Sequence, residues 1–296
     1  MFKHIAFSLG LLCLVPSILP AQKKNTGQTT GYNHILWKVT PPKGGRPSYV
    51  FGTIHMLCTA DTFKTQAIAR AVADCDQVFM EMDMDDPQLQ NSIALKSFNT
   101  SGKTLQDYLS ADQYSKVDSF FTRELQMGLD MFKGVKLYVI YSMMTISEAE
   151  QDCSDWIAYD QKIADYSKKY HKEIRGLEAP EEQINMFEQI PQDTLANWIY
   201  RSAIQPVDHS FDTLRAYYTT QRIEDLYHRF REMSPEMMMY EKVFLTNRNQ
   251  KWVNKLDSIL PTRPSFIAVG AGHLGGPQGI LRLLEQKKYK LTPVVL

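Results

Sequence analysis

The chain has no excess of charge of either sign. Across its 296 residues, 33 Lys and Arg are balanced by 33 Asp and Glu, for a formal net charge of +0. No run of like charges stands out, so nothing electrostatic argues for nucleic acid or for an acidic membrane surface as a partner. Cysteine is scarce, at 4 residues, and none has the spacing of a zinc finger. There is no tandem repeat and no long linker. Beyond the N-terminus no apolar run is both long and uncharged enough to span a bilayer, and the stretch Val135 to Ile146 reads as a buried helix.

What is present begins with a leader pattern. Lys3 and His4 precede an apolar stretch from Ile5 to Leu19, which gives way to Pro20-Ala21-Gln22. That order is the pattern of a secretory signal peptide, with cleavage expected after Ala21. Cys13 follows a leucine, which is a poor lipoprotein context. The expected organisation is a signal peptide over 1–21, a polar lead-in over 22–33 and one α/β domain over 34–296. Export, to a periplasm or to the extracellular space, implies an oxidising compartment. One disulfide among Cys58, Cys75 and Cys153 is then expected, with one thiol left over and the pairing open.

The remaining chain alternates between strand and helix signals. Apolar, β-branched runs predict strands at His34 to Val39, Ser48 to Ile54, Gln77 to Met82, Glu173 to Leu177, Ser265 to Val269 and Leu291 to Leu296. The first two are joined by a turn rich in proline and glycine, Pro41 to Pro47. Asp61 or Thr62 is placed to cap a helix running towards Cys75. The spacing of Trp156, Tyr159, Ile163, Tyr166 and Tyr170 predicts another helix. Ser234-Pro235 predicts the start of a long helix with one stripe from Met237 through Phe244, Arg248 and Trp252 to Ile259, and Pro277 to Gln286 a further one. The fold class expected is α/β, with a mostly parallel central sheet, flanking helices and a large helical insertion between early and late strands.

Two segments echo each other across the chain. Tyr49 to His55 and Phe266 to His273 are both apolar runs that halt at a glycine and deliver a histidine a few residues later. A lone histidine more often satisfies a buried carbonyl. Two at strand ends of one α/β sheet, where such sheets bind ligands, point to a shared site. Glu81 closes the apolar Val78-Phe79-Met80, and Glu178 closes the strand from Ile174 to Leu177. Arg248 sits on an apolar helical stripe, so it needs a charged partner if buried, and either glutamate would serve. Asp160 borders the Trp156/Ile163 face and needs a donor. Two neutral imidazoles with one or two carboxylates suit Zn, Mn, Co or Fe and the activation of a water; without metal, a His–Glu pair can act as base and acid. Gly270-Ala271-Gly272-His273-Leu274-Gly275 also matches G-x-G-x-x-G. The dinucleotide motif, however, needs an acid about 20 residues on, at the end of the next strand, and here the chain closes in Val-Val-Leu.

Phe51-Gly52-Thr53-Ile54-His55, the glutamate of Val78-Phe79-Met80-Glu81, Gly176-Leu177-Glu178 with Gln183, Arg248-Asn249, and Gly270-Ala271-Gly272-His273 occur in this order. As a set they resemble the TraB/PrgY/GumN family, which includes the TIKI proteins, over roughly 34–296. The resemblance implies a fold like that of TIKI and the erythromycin esterase/ChaN group, and a divalent-metal-dependent peptidase using Mn, Co or Zn. It implies His55, His273 and Glu81 as metal or catalytic residues, and Glu178 and Arg248 match further family positions. In the function expected here Glu178 is a further ligand or the base, and Arg248 orients a carboxylate or stabilises an oxyanion. The expected partner is a peptide or protein substrate, with no nucleic acid and no transmembrane helix after leader removal. Two other functions fit the same residues: a ChaN-type module that captures haem, iron or a small ligand, and a metal-free esterase-like hydrolase.

Overall fold

A computed structural model describes residues 32–61, 65–151, 155–205, 210–233 and 235–296. The expected signal peptide lies outside the described residues, as do Thr62, Cys153 and Ser234. In chain order the elements are β1 (Leu36–Thr40), β2 (Ser48–Thr53), β3 (Leu57–Cys58), α1 (Gln66–Asp74), β4 (Gln77–Met80), α2 (Leu89–Ser97), α3 (Ala111–Leu125), α4 (Leu137–Gln151), β5 (Trp156–Ile157), α5 (Tyr159–Lys169), β6 (Ile174–Gly176), α6 (Pro180–Glu188), α7 (Gln192–Ile204), α8 (Ser210–Thr219), α9 (Ile223–Met233), α10 (Pro235–Met238), α11 (Asn247–Ile259), β7 (Ser265–Gly270), α12 (Ile280–Gln286) and β8 (Lys290–Pro293).

The chain divides into two compact units. One comprises Pro87–Ser154 and Pro180–Phe211; the other takes in the described residues up to Asp86, together with Asp155–Ala179 and Asp212–Leu296. The first unit is helical. Its α3 and α4 pack on α7, and α2 packs on α6. The apolar run seen in sequence becomes α4, with Leu137, Tyr138, Ile140, Tyr141 and Met144 all buried. No helix among the described residues is long and apolar enough to cross a membrane.

The second unit holds the sheet, in the order β6-β4-β7-β2-β1-β8. The first four strands are mutually parallel, while β1 pairs antiparallel with both β2 and β8. The α/β class, mostly parallel, is as expected. Every residue of β4 is buried, and β7 is buried from Ser265 to Val269. Unbroken burial at successive positions means that both faces of these central strands are covered. The pairing aligns one row across the sheet: Gly176, Met80, Ala268 and Phe51. Beyond that row all four chains leave the sheet at the same edge.

Several local expectations are corrected. Trp156 and Ile157 form no helical turn; they pair antiparallel with Cys58 and Leu57, so α5 begins at Tyr159. Asp61 ends a short 3-10 turn, Thr59–Asp61, and α1 starts only at Gln66. The long helix after Pro235 is interrupted: α10 stops at Met238, and a π-helical turn, Lys242–Thr246, precedes α11. The extra residue in a π turn rephases the stripe, and such turns concentrate at functional sites. Pro277 lies ahead of α12, which starts at Ile280 after extended backbone at Gly279. The last strand runs from Lys290 to Pro293 rather than to the C-terminus. Of the cysteines, Cys58 is disulfide-bonded and Cys75 is a free, buried thiol whose pKa burial pushes up to about 12.

Candidate active site

Four neighbouring parallel strands each deliver one polar residue at their C-terminal edge. In sheet order these are Glu178 after β6, Glu81 after β4, His273 after β7 and His55 after β2. Between β4 and β2 the sheet receives β7 from the far end of the chain, which is the kind of reversal where open α/β sheets form a ligand crevice. Arg248 reaches three of the four groups from α11. Its Nη2 lies 2.6 Å from Glu81 Oε2 and 2.6 Å from Glu178 Oε1. Its Nε lies 3.2 Å from each Glu178 oxygen, and Nη1 donates to His273 Nε2 and to the Phe244 carbonyl, both at 3.1 Å. That carbonyl belongs to the π turn, so the rephased helix takes part in holding its own arginine. The guanidinium also lies over the Trp252 ring, 4.5 Å from its centroid.

Glu81 and His273 meet on the other side of the cluster, with His273 Nε2 3.9 Å from Glu81 Oε1. The same oxygen accepts the Gly270 N–H at 2.8 Å. A Cβ at Gly270 would stand 3.3 Å from that oxygen, tighter than ordinary contact, so the strand end approaches the carboxylate most easily as glycine. The loop bearing His273 forms a short 3-10 turn, Ala271–His273, and not a helix N-terminus; this removes the geometry a dinucleotide loop requires.

His55 is held from its other side. Its Nδ1 lies 2.7 Å from Asp160 Oδ2, and Asp160 Oδ1 accepts from Thr53 Oγ1 at 2.9 Å. Asp160 thus accepts one hydrogen bond, from Thr53, and stands at ion-pair distance from the His55 ring. The antiparallel pairing of β3 with β5 sets this contact, bringing the start of α5 beside the exit of β2.

The electrostatics follow from burial and from Arg248. Burial raises the Glu81 carboxyl, but the Arg248 guanidinium, His273 and the Gly270 N–H outweigh it and hold the group at about 2. Burial lowers His273, Arg248 lowers it further, and its pKa falls to about 3, so the ring is neutral. Burial also disfavours charge on Arg248, yet Glu81 and Glu178 raise its pKa above the ordinary value. The result is a buried cation between two carboxylates with a neutral imidazole at its side.

Donor chemistry of this kind fits a divalent ion. Two imidazoles each have Nδ1 engaged by a side chain that fixes the ring, as metal-binding histidines usually do, and a carboxylate accompanies them. In the arrangement seen, among the described residues, no three His, Cys, Asp or Glu side chains are grouped as ion ligands. It is Arg248 that joins Glu81, Glu178 and His273. Sequence reasoning gave no role to Asn249, whose Oδ1 lies 2.6 Å from His273 Nδ1. The signal for it was a second polar residue beside Arg248 on a buried helix face. Gln183 is buried on α6.

The fold and this edge define an α/β protein with a buried His/Glu/Arg cluster at the C-terminal ends of its parallel strands. The chain belongs to the TraB/PrgY/gumN family, whose model matches residues 35–293. Metalloprotease TIKI2 of Danio rerio is 22% identical over 313 residues, covering 88% of this chain and 60% of the relative. Metalloprotease TIKI1 of Homo sapiens is 22% identical over 350 residues, covering 96% of this chain and 68% of the relative. The uncharacterized protein YbaP of Escherichia coli is 24% identical over 266 residues, covering 86% and 94%. The chain thus spans about 60% of the zebrafish relative's length. No solved structure gives a significant match.

Proposed function

We propose that this chain is an exported, divalent-metal-dependent hydrolase that cleaves peptide bonds. One observation carries the reading: four adjacent parallel strands end in Glu178, Glu81, His273 and His55, with each imidazole fixed through Nδ1. The names of the TIKI relatives support the peptide substrate, and the leader pattern supports export. His55, His273 and Glu81 would hold the ion, whether Mn, Co or Zn. Such an ion, when bound, polarises a carbonyl and acidifies a water. The chain's own residues prepare the site. Neutral His273 carries its lone pair on Nε2, where Arg248 Nη1 now donates and would have to give way to an ion, and Asp160 orients His55. Glu178 is a further ligand or the base. The five N–H groups of Arg248 are already distributed among Glu81, Glu178, His273 and Phe244, so its part is to hold these groups in place.

The test is metal analysis of protein purified without chelator, together with peptide cleavage before and after EDTA. Wild type should carry stoichiometric metal, and His55→Ala and His273→Ala should lose it. Equal trace metal in all three would end the reading. The engagement of Glu81 and His273 by Arg248 favours a second reading, a metal-free hydrolase working through the same histidines. Cleavage that persists in EDTA would select it.

A further inference from the structure

One turn of α11 surrounds the His273 ring. Arg248 meets Nε2 at 3.1 Å, Asn249 Oδ1 meets Nδ1 at 2.6 Å, and the Trp252 ring packs against the imidazole with centroids 4.6 Å apart. Asn249 is itself 2% exposed, and its amide nitrogen has two partners: the carbonyls of His273 at 3.3 Å and of Gln278 at 2.8 Å. Both are backbone carbonyls and can only accept, so Nδ2 must face them, and Oδ1 must therefore face the ring. An amide oxygen cannot donate. His273 Nδ1 is consequently the protonated nitrogen, and Nε2 carries the lone pair. The opposite edge of the ring agrees independently, since a guanidinium N–H can only donate to Nε2.

We infer that Asn249 is the positioning residue of the site: it fixes His273 as the Nδ1–H tautomer, so that the Nε2 lone pair faces Arg248 Nη1 beside Glu81. It also ties both ends of the glycine-rich turn, through the carbonyls of His273 and Gln278, to the helix that carries Arg248. Ring and loop are thereby oriented by one side chain. That this lone pair serves metal or proton chemistry rests on the function proposed above; the tautomer itself does not.

The experiment is a long-range proton–nitrogen correlation spectrum of the imidazoles in chelator-treated protein, with His273 assigned by comparison with His273→Gln. The expected result is a protonated Nδ1 and a bare Nε2 in the wild type. A protonated Nε2 overturns the inference whatever the protein catalyses. Zn²⁺ affinity, measured by competition with a chromophoric chelator, gives the second readout. Asn249→Leu should weaken Zn²⁺ binding by about 10–100-fold. Asn249→Asp keeps an acceptor at Nδ1 but loses the amide donor to the carbonyls of His273 and Gln278, so it should bind Zn²⁺ more weakly than wild type and more tightly than Asn249→Leu. Unchanged Zn²⁺ affinity in Asn249→Leu would mean that Asn249 is only a packing residue. A wild type that binds no Zn²⁺ would overturn the metal-dependent function, while the spectrum would still decide the tautomer.

Discussion

Arg248 and Glu178, 70 positions apart in sequence, form a buried three-bond ion pair in which the side chains are 10% and 2% exposed. Neither charge is tolerable there alone. Arg248→Met should therefore cost about 3–5 kcal/mol, because it strands Glu178 and Glu81 together without a cation. Urea denaturation checks this, and a loss below about 1 kcal/mol would show that the cluster does not bear on folding.

Acid should destabilise the protein through two of these groups, in the same direction. The folded His273 sits at about 3 against an ordinary 6.5, so between those values the unfolded chain binds more protons and stability falls as pH falls. The folded Glu81 sits at about 2 against 4.5, so its contribution is complete above 4.5 and is lost on going down towards 2. Each proton steepens the slope by about 1.4 kcal/mol per pH unit. In chelator-treated protein, His273→Gln should flatten the stability curve between pH 6.5 and 4.5 relative to wild type. Parallel curves would contradict the burial of a neutral ring.

Asp160→Asn removes the charge that orients His55 while keeping the side-chain shape. Peptide cleavage should fall by about 10–100-fold, with stability nearly unchanged. Steady-state kinetics beside a thermal melt separates the two effects. A large drop in melting temperature with unaltered kcat/KM would make Asp160 a structural residue only.

Two glycines should behave oppositely on mutation to alanine. A Cβ at Gly52 would meet Leu274 Cδ1 at 2.7 Å and Ala271 Cα at 3.1 Å, whereas one at Gly272 meets nothing within 4 Å. Gly52→Ala should cost about 1–3 kcal/mol by overpacking. Gly272→Ala should stay within about 0.5 kcal/mol. Thermal denaturation of both variants is the check; the reverse order would mean that the β2 exit and the His273 loop are not in contact as described.

Much of the strand pattern was legible because buried parallel strands are short apolar runs bounded by glycine and acids. His55, Glu81, Glu178 and His273 stood out as polar groups directly after such runs. Arg248 stood out as a charge on an apolar stripe. Helix boundaries were less legible. The run from Trp156 to Tyr170 has helical spacing throughout, yet its first two residues join a ladder whose partner, Leu57–Cys58, lies far away in sequence. The stripe after Pro235 keeps its apolar periodicity straight through a π turn, which local pattern does not record. Asn249 stood out only as the neighbour of Arg248 in a family motif and had no role, because its partners are ring and carbonyl atoms on a loop that closes against it only in the folded state.

By itself the amino-acid sequence determined which chemical groups this protein carries and that each lies at the end of an apolar strand, since local burial preference is written in residue type and spacing. Tertiary structure alone decided the strand order β6-β4-β7-β2, and with it that Glu178, Glu81, His273 and His55 stand side by side. It also decided that Arg248 joins three of them and Asn249 fixes a tautomer. Those outcomes depend on long-range pairing and on satisfying buried charges, and neither is encoded in any one stretch of chain.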